Sequence, residues 1–106
     1  MTAKDKAEIV RAAFDDKKAQ DIKVLEVGEL TSLCEYFVIC SCNSSTQVRA
    51  CADNAEEKLA EAGVELGHRE GYRGGAWILL DYDDVICHVM TKENREFYDL
   101  ERLWTE

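Results

Sequence analysis

Three carboxylates, Asp81, Asp83 and Asp84, fall within four positions of one another between two apolar runs, Trp77-Ile78-Leu79-Leu80 and Val85-Ile86-Cys87-His88-Val89-Met90. Carboxylates at a strand end can hold a divalent cation for phosphoryl or nucleotidyl chemistry. Against that use, Asp83 and Asp84 read as the two central residues of a tight turn, no glycine-serine phosphate-binding element precedes them, and no base or further carboxylate is placed beside them. Catalysis is therefore not expected. The second candidate is Cys40-x-Cys42, whose thiols would project to one side of a strand as a conceivable metal or redox pair. The five cysteines (Cys34, Cys40, Cys42, Cys51 and Cys87) include no Cys-x-x-Cys pair and no histidine at metal spacing. They read as small core residues in a reducing compartment, with no metal, cofactor or disulfide framework expected.

The hairpin supports a different chemistry, that of recognition. With Asp83 and Asp84 in the turn, Tyr82 pairs with Val85 and each earlier residue with a later one, down to Trp77 opposite Met90. Paired residues share a face and successive residues alternate, so Ile78, Leu80, Tyr82, Val85, Cys87 and Val89 form one side. Trp77, Leu79, Asp81, Ile86, His88 and Met90 form the other. The first is a core face. The second mixes an aromatic ring, aliphatics, a carboxylate and an imidazole, which suits a surface covered by another molecule. Its alternative reading is cover by a helix of the same domain, with Asp81 and His88 at the wet margin. Glu70 and Tyr72, just before the hairpin, extend the second face as a rim.

Charge narrows the partner. The formal net charge of the 106-residue chain is -9, and residues 22 to 106 carry seventeen acids against eight bases. Direct nucleic-acid binding is disfavoured, since a polyanion would be repelled, whereas a basic protein would be drawn in. No charged-then-apolar leader opens the sequence and no apolar run reaches membrane-spanning length, so a cytoplasmic protein without membrane contact is expected.

The elements that must position these residues follow from periodicity and capping. The spacing predicts a helix from about Ala3 to Ala19, with Ala7, Val10 and Phe14 on one stripe. Strands are predicted over 22 to 27, ended by Gly28, and over Tyr36 to Cys42, the latter apolar on both sides as an interior strand is. Ser44 and Gln47 have capping-box spacing and open a helix to about Ala62, with Val48, Cys51, Ala52, Ala55, Leu59 and Ala62 inward and Gly63 as its stop. A loop through His68, Glu70, Gly71, Gly74 and Gly75 leads to the hairpin. A last helix is predicted from about Lys92 to Trp104, with Phe97, Leu100 and Trp104 on one stripe, and Tyr98 and Trp104 are expected against the sheet. The order αββαββα fits a single α/β domain over residues 1 to 106, a mixed sheet of four or five strands with helices mainly on one side.

Five segments in this order resemble the ribosomal silencing factor family, also called Iojap: Asp21 to Val27, Tyr36 to Ile39, Asn43-Ser44-Ser45 with Gln47-Val48, Trp77 to Tyr82 through Asp84-Val85 and His88-Val89, and Arg95 to Trp104. The resemblance runs from about Asp15 to Trp104. It implies a nucleotidyltransferase-like fold without catalysis. It also implies binding to the fourteenth protein of the large ribosomal subunit on the intersubunit face, steric blocking of small-subunit joining, repression of translation, and a homodimer when free. Contact roles come from the hairpin: Trp77, Leu79 and Met90 at the desolvated centre, Asp81 with Glu70 meeting lysine or arginine, and Ile86, His88 and Tyr72 completing the surface. The alternative is an acidic homodimeric interaction module with another basic partner. Cys42, Glu35 and Asp83 depart from the family pattern, which usually has glycine, aspartate and glycine there. Asp83 in place of glycine suggests a type I' turn or a looser loop.

Overall fold

The computed structural model describes residues 1 to 100 and residue 102, which leaves Trp104, expected on the last helix, outside the described residues. Helix α1 spans Ala3–Asp16, followed by strands β1, Gln20–Glu26, and β2, Tyr36–Cys42. Helix α2 spans Ser45–Glu61, strands β3, β4 and β5 span His68–Glu70, Trp77–Asp81 and Val85–Thr91, and helix α3 spans Lys92–Tyr98. The strands form one mixed sheet in the order β1-β2-β5-β4-β3, with β2 and β5 parallel and every other pair antiparallel. The α/β class and a five-stranded mixed sheet agree with expectation. β3 was not anticipated, because three exposed polar residues carry no alternation to detect.

Local chemistry sets the helix ends. Thr2 and Asp5 form a reciprocal capping box at the start of α1, each side chain accepting from the other's backbone N–H. At its other end the helix stops at Asp16, short of the expected Ala19. Lys18 takes a left-handed conformation (φ 63°), and the N–H groups of Lys17 and Ala19 turn back to the Phe14 carbonyl. The strand that follows consequently starts at Gln20. Ser44 caps α2 by accepting from Gln47 N–H at 3.1 Å, while Gln47 Oε1 accepts from Asn43 N–H at 2.7 Å. The Gln47 amide nitrogen also donates to the carbonyls of Lys17 and Lys18, tying the start of α2 to the end of α1. α2 ends before Gly63, whose φ of 84° no helix continues, and Ala62 is exposed, contrary to expectation. α3 is shorter than predicted because Asp99 adopts a left-handed C-cap (φ 45°).

Two apolar layers result. α1 and α2 lie together on one face of the sheet, where Val10, Phe14, Val48, Cys51, Ala52, Ala55 and Leu59 meet Val38, Cys40, Ile78, Leu80, Val85, Cys87 and Val89. Small residues on both helices permit close approach. Asn54 is buried between them, and its amide nitrogen is satisfied by donating to the Ala13 carbonyl at 2.8 Å. On the opposite face a smaller cluster gathers Val27, Cys34, Phe37, Ile39 and Met90, with Leu25, Trp77, Ile86 and Leu100 against it. α3 touches only one end of that face. Its buried Arg95 donates to the Asp21 carbonyl and to Ser41 Oγ, pinning the helix across β1 and β2.

The bend between β3 and β4 rests on Gly71 (φ 81°), where an added Cβ would collide with the Trp77 carbonyl oxygen. Gly63 has a similar φ but open space around it. Gly63→Ala should therefore cost about 1 kcal/mol, the conformational penalty alone, and Gly71→Ala at least about 2 kcal/mol more, because backbone must move. Urea unfolding of both variants checks this, and equal losses would show that the close approach at Gly71 is unimportant.

Candidate functional site

The hairpin register is the one predicted from sequence. Trp77 pairs with Met90, Leu79 with His88 and Asp81 with Ile86, while Ile78, Leu80, Tyr82, Val85, Cys87 and Val89 are all buried beneath the helices. Tyr82 N–H donates to the Val85 carbonyl at 2.9 Å, so the loop holds two residues. The turn is not type I'. Only Asp83 has positive φ (73°), and Asp84 N–H returns to the Tyr82 carbonyl at 2.9 Å, as in a tight γ-turn. Asp81 Oδ1 accepts from Asp83 N–H at 2.8 Å, which steadies a conformation that glycine would adopt more readily.

The three carboxylates do not converge on a metal site. Asp81 is engaged with its own turn, and Asp84 Oδ1 pairs with Lys6 Nζ at 2.9 Å, linking the turn to α1. Asp83 is exposed at the tip. Among the described residues, the group of metal-ligating side chains close enough to share an ion consists of cysteines, Cys40, Cys42 and Cys51.

The second hairpin face has depth. His88 is only 6 % exposed and Met90 only 1 %, so they form its floor and offer no contact surface, a correction to their expected roles. Trp77 lies over them. Its indole N–H donates to His88 Nδ1 at 3.1 Å, and its other neighbour is Tyr98 of α3, with ring centroids 4.8 Å apart. Phe37 meets the His88 ring edge-on at 5.1 Å. Because an indole N–H can only donate, Nδ1 is the unprotonated nitrogen and the imidazole is neutral. Among the described residues His88 Nε2 is buried without a hydrogen-bond partner, and burial pulls the His88 pKa down to about 4.

Around Trp77 the half-buried side chains are Leu79, Asp81 and Ile86 of the hairpin and Leu25 of β1. Glu70 pairs with Leu79 across β3 and β4, which places it on the same side of the sheet. Its carboxylate already meets His68 Nε2 at 3.0 Å. Tyr72 does not join it. The chain has turned by that point, and Tyr72 packs against the helix-covered core, with its hydroxyl donating to Asp53 of α2 at 2.9 Å and Arg69 over its ring. Leu25, Phe37 and Ile39 were missed. β2 read as apolar on both sides, which marked it as interior without saying that its second side continues the Trp77 face. Phe97, expected on an inward stripe, is 80 % exposed and meets Tyr98 edge-on, and Tyr98, itself exposed, touches the sheet through Trp77.

At the turn end of the sheet, next to the same apolar cluster through Cys34, lies a cleft lined by Glu26, Glu29, Glu35, Asp83 and Asp84 together with Leu33 and Tyr36. The molecule thus presents a shallow apolar face beside a strongly acidic edge. No helix among the described residues is long and apolar enough to cross a membrane.

A sequence profile described as "Ribosomal silencing factor during starvation" matches residues 1 to 106. A Bacillus subtilis protein named Ribosomal silencing factor RsfS is 38% identical over 104 residues, covering 98% of this chain and 88% of its own length. The maize chloroplast protein Iojap is 29% identical over 92 residues, covering 87% of this chain and 40% of its own. A crystal structure of a Chromobacterium violaceum protein superposes with a TM-score of 0.96 at 38% identity, over 98% of this chain and 87% of that one. The fold is that of an α/β domain built on one mixed five-stranded sheet. The chain belongs to the ribosomal silencing factor family.

The neutral His88 floor has a measurable consequence for stability. The unfolded chain takes up a proton near the ordinary histidine value of 6.5, whereas the folded chain resists until about 4. Stability is therefore complete above pH 6.5 and falls as pH drops, by about 1.4 kcal/mol per unit and about 3 kcal/mol in all by pH 4. His88→Asn keeps an acceptor for Trp77 without titrating there. Its denaturation free energy should lose that pH dependence relative to the wild type, and parallel curves between pH 6.5 and 4 would refute the buried neutral imidazole.

Proposed function

We propose that the open sheet face binds a basic protein of the large ribosomal subunit, the fourteenth of its series, on the intersubunit side, and that occupancy keeps the small subunit from joining. The family is named for ribosomal silencing, a regulatory role in translation. The observation that carries the reading is the half-exposed group Leu25, Trp77, Leu79 and Ile86, held over the buried floor of Phe37, His88 and Met90 on the side that α1 and α2 leave open. A rigid floor lowers the ordering cost of binding, so shallow apolar side chains can serve as anchors. Silencing by this route is steric and requires no reaction.

Charge supplies the complementary part. Asp81, Glu70 and the acidic edge near the turn would steer and orient a basic surface, while the chain's net negative charge keeps it off exposed ribosomal RNA. In the free protein the same apolar face would be covered by a second copy, giving a homodimer that dissociates on binding. The setting for all of this is the cytoplasm, where translating ribosomes are found.

Trp77 is a poor choice for testing the face, because its ring also covers His88 and meets Tyr98, so Trp77→Ala should lower both binding and stability. Leu79→Glu separates the two. It should weaken co-sedimentation with isolated large subunits at least tenfold, about 1.4 kcal/mol or more, while changing folding stability by no more than about 1 kcal/mol. Leu80→Ala should do the reverse, losing about 2 to 5 kcal/mol of stability from the helix-covered core with binding retained while folded. Wild-type protein added before mixing should reduce the light-scattering rise on subunit association, and Leu79→Glu should not. Wild-type protein remaining at the top of sucrose gradients, or Leu79→Glu behaving as wild type, would rule out this face as the ribosome site.

A further inference from the structure

Cys40 and Cys42 leave β2 on the face that the helices cover, and Cys51 descends on them from α2. The three sulfur atoms lie within 4.8 Å of one another, with Cys42 and Cys51 at 3.7 Å, and all three residues are buried and free of disulfides. We propose that Cys40, Cys42 and Cys51 form a binding site for one thiophilic metal ion in three-coordinate thiolate geometry, with Cu(I) as the ion. This site is separate from the open sheet face, lying on the other side of β2.

The distances suit such an ion. Metal–sulfur bonds of about 2.3 Å in a trigonal plane put the sulfurs about 4 Å apart, so the three Sγ atoms need only small rotations to close on a centre. Soft thiolates select soft ions, which leaves Cu(I) and Zn(II) as the chief candidates. Zn(II) in a closed site takes four ligands, and here no histidine or carboxylate among the described residues joins the three sulfurs. The neighbouring core side chains, Val38, Val48, Ala52 and Ala55 among them, supply none either. A monovalent ion content with three sulfurs therefore fits better than a divalent one that needs a fourth group.

Cys42 Sγ and Cys51 Sγ, 3.7 Å apart, share an S–H hydrogen bond in which either can donate, and burial pushes the Cys40 thiol well above its ordinary value. Metal entry displaces the remaining thiol protons to solvent, up to three in all, and no electron changes hands. Cys34 and Cys87 are also buried but join no such group, and they serve as internal controls.

The test is an anaerobic titration of the full chain, free of thiol reductants, against Cu(I) held as a coloured bicinchoninate complex. One equivalent should be withdrawn, and X-ray absorption of the loaded wild-type protein should show three sulfurs at about 2.3 Å. Cys51→Ala and Cys42→Ala, checked for folding by circular dichroism, should weaken retention at least tenfold, and Cys34→Ala should leave it unchanged. Zn(II) offered from a matched chelator should stay with the chelator. Failure to withdraw Cu(I), a sulfur count other than three, retention unaffected by Cys51→Ala, or preferential capture of Zn(II) would each overturn the proposal.

Discussion

The constraint on which the molecule most depends is the register of the β4–β5 hairpin, held by the two-residue loop and the Asp81 carboxylate that accepts from Asp83 N–H. A slip of one residue would send Ile78, Leu80 and Val89 to the open side and bring Asp81 and His88 under the helices. An ionised carboxylate there would have no partner, and the apolar layer that seats α1 and α2 would be lost. The turn is strained in a small way, since Asp83 occupies a positive φ. Its neighbour's side chain offsets that strain, so a sequence without glycine at this point still closes a tight hairpin. Asp84, paired with Lys6, ties the same turn to the first helix.

With register fixed, the unequal cover of the sheet decides what remains available for recognition. Two long helices fill one face. On the other, α3 is only seven residues long, and Arg95 and the Tyr98–Trp77 contact hold it at one end. Phe37, Ile39, His88 and Met90 are buried on that side, and among the described residues the layer above them consists of half-buried side chains, Leu25, Trp77, Ile86 and Leu100. His88 makes sense in this place as a flat, neutral spacer: one nitrogen orients the tryptophan, and the ring meets Phe37 edge-on. An aliphatic residue there would leave the indole N–H unsatisfied, and a charged one would be costly to bury.

Much of this was legible because strand alternation is local and periodic. The six inward residues of the hairpin, the pairing of Trp77 with Met90, the Ser44 cap and the buried stripe of α2 from Val48 to Leu59 all follow from spacing. What was not legible has common physical causes. Lys18 and Asp99 enter left-handed conformations that no residue type demands, so α1 and α3 end early. Tyr72 and Glu70 are two residues apart and would share a strand face, but Gly71 lets the chain turn between them and Tyr72 goes to the helices. Exposure of His88 and Met90 could not be read from alternation, which gives the side of a sheet but not the thickness of what lies above it. The third cysteine of the trio was hidden for a related reason, since a strand and a helix bring together residues whose separation in sequence follows no ligand spacing.

The division of labour between apolar and acidic surface follows from the magnitudes involved. An ion pair at an exposed rim contributes between nothing and about 1 kcal/mol and weakens with salt, whereas a well-seated apolar anchor contributes about 2 kcal/mol or more. Asp81 is half-buried and has one oxygen committed to its turn, and Glu70 is exposed and already paired with His68, so neither is placed to dominate affinity. Their effect, together with that of the acidic edge, falls on encounter rate and orientation, to which long-range charge contributes most. On the proposed reading, residence on a partner follows how much of the Leu25, Trp77, Leu79 and Ile86 surface is closed to water. In the proposed reading a small domain acts by occupancy alone, which requires that the face be rigid before the partner arrives, and the buried His88 and Met90 floor suits that requirement.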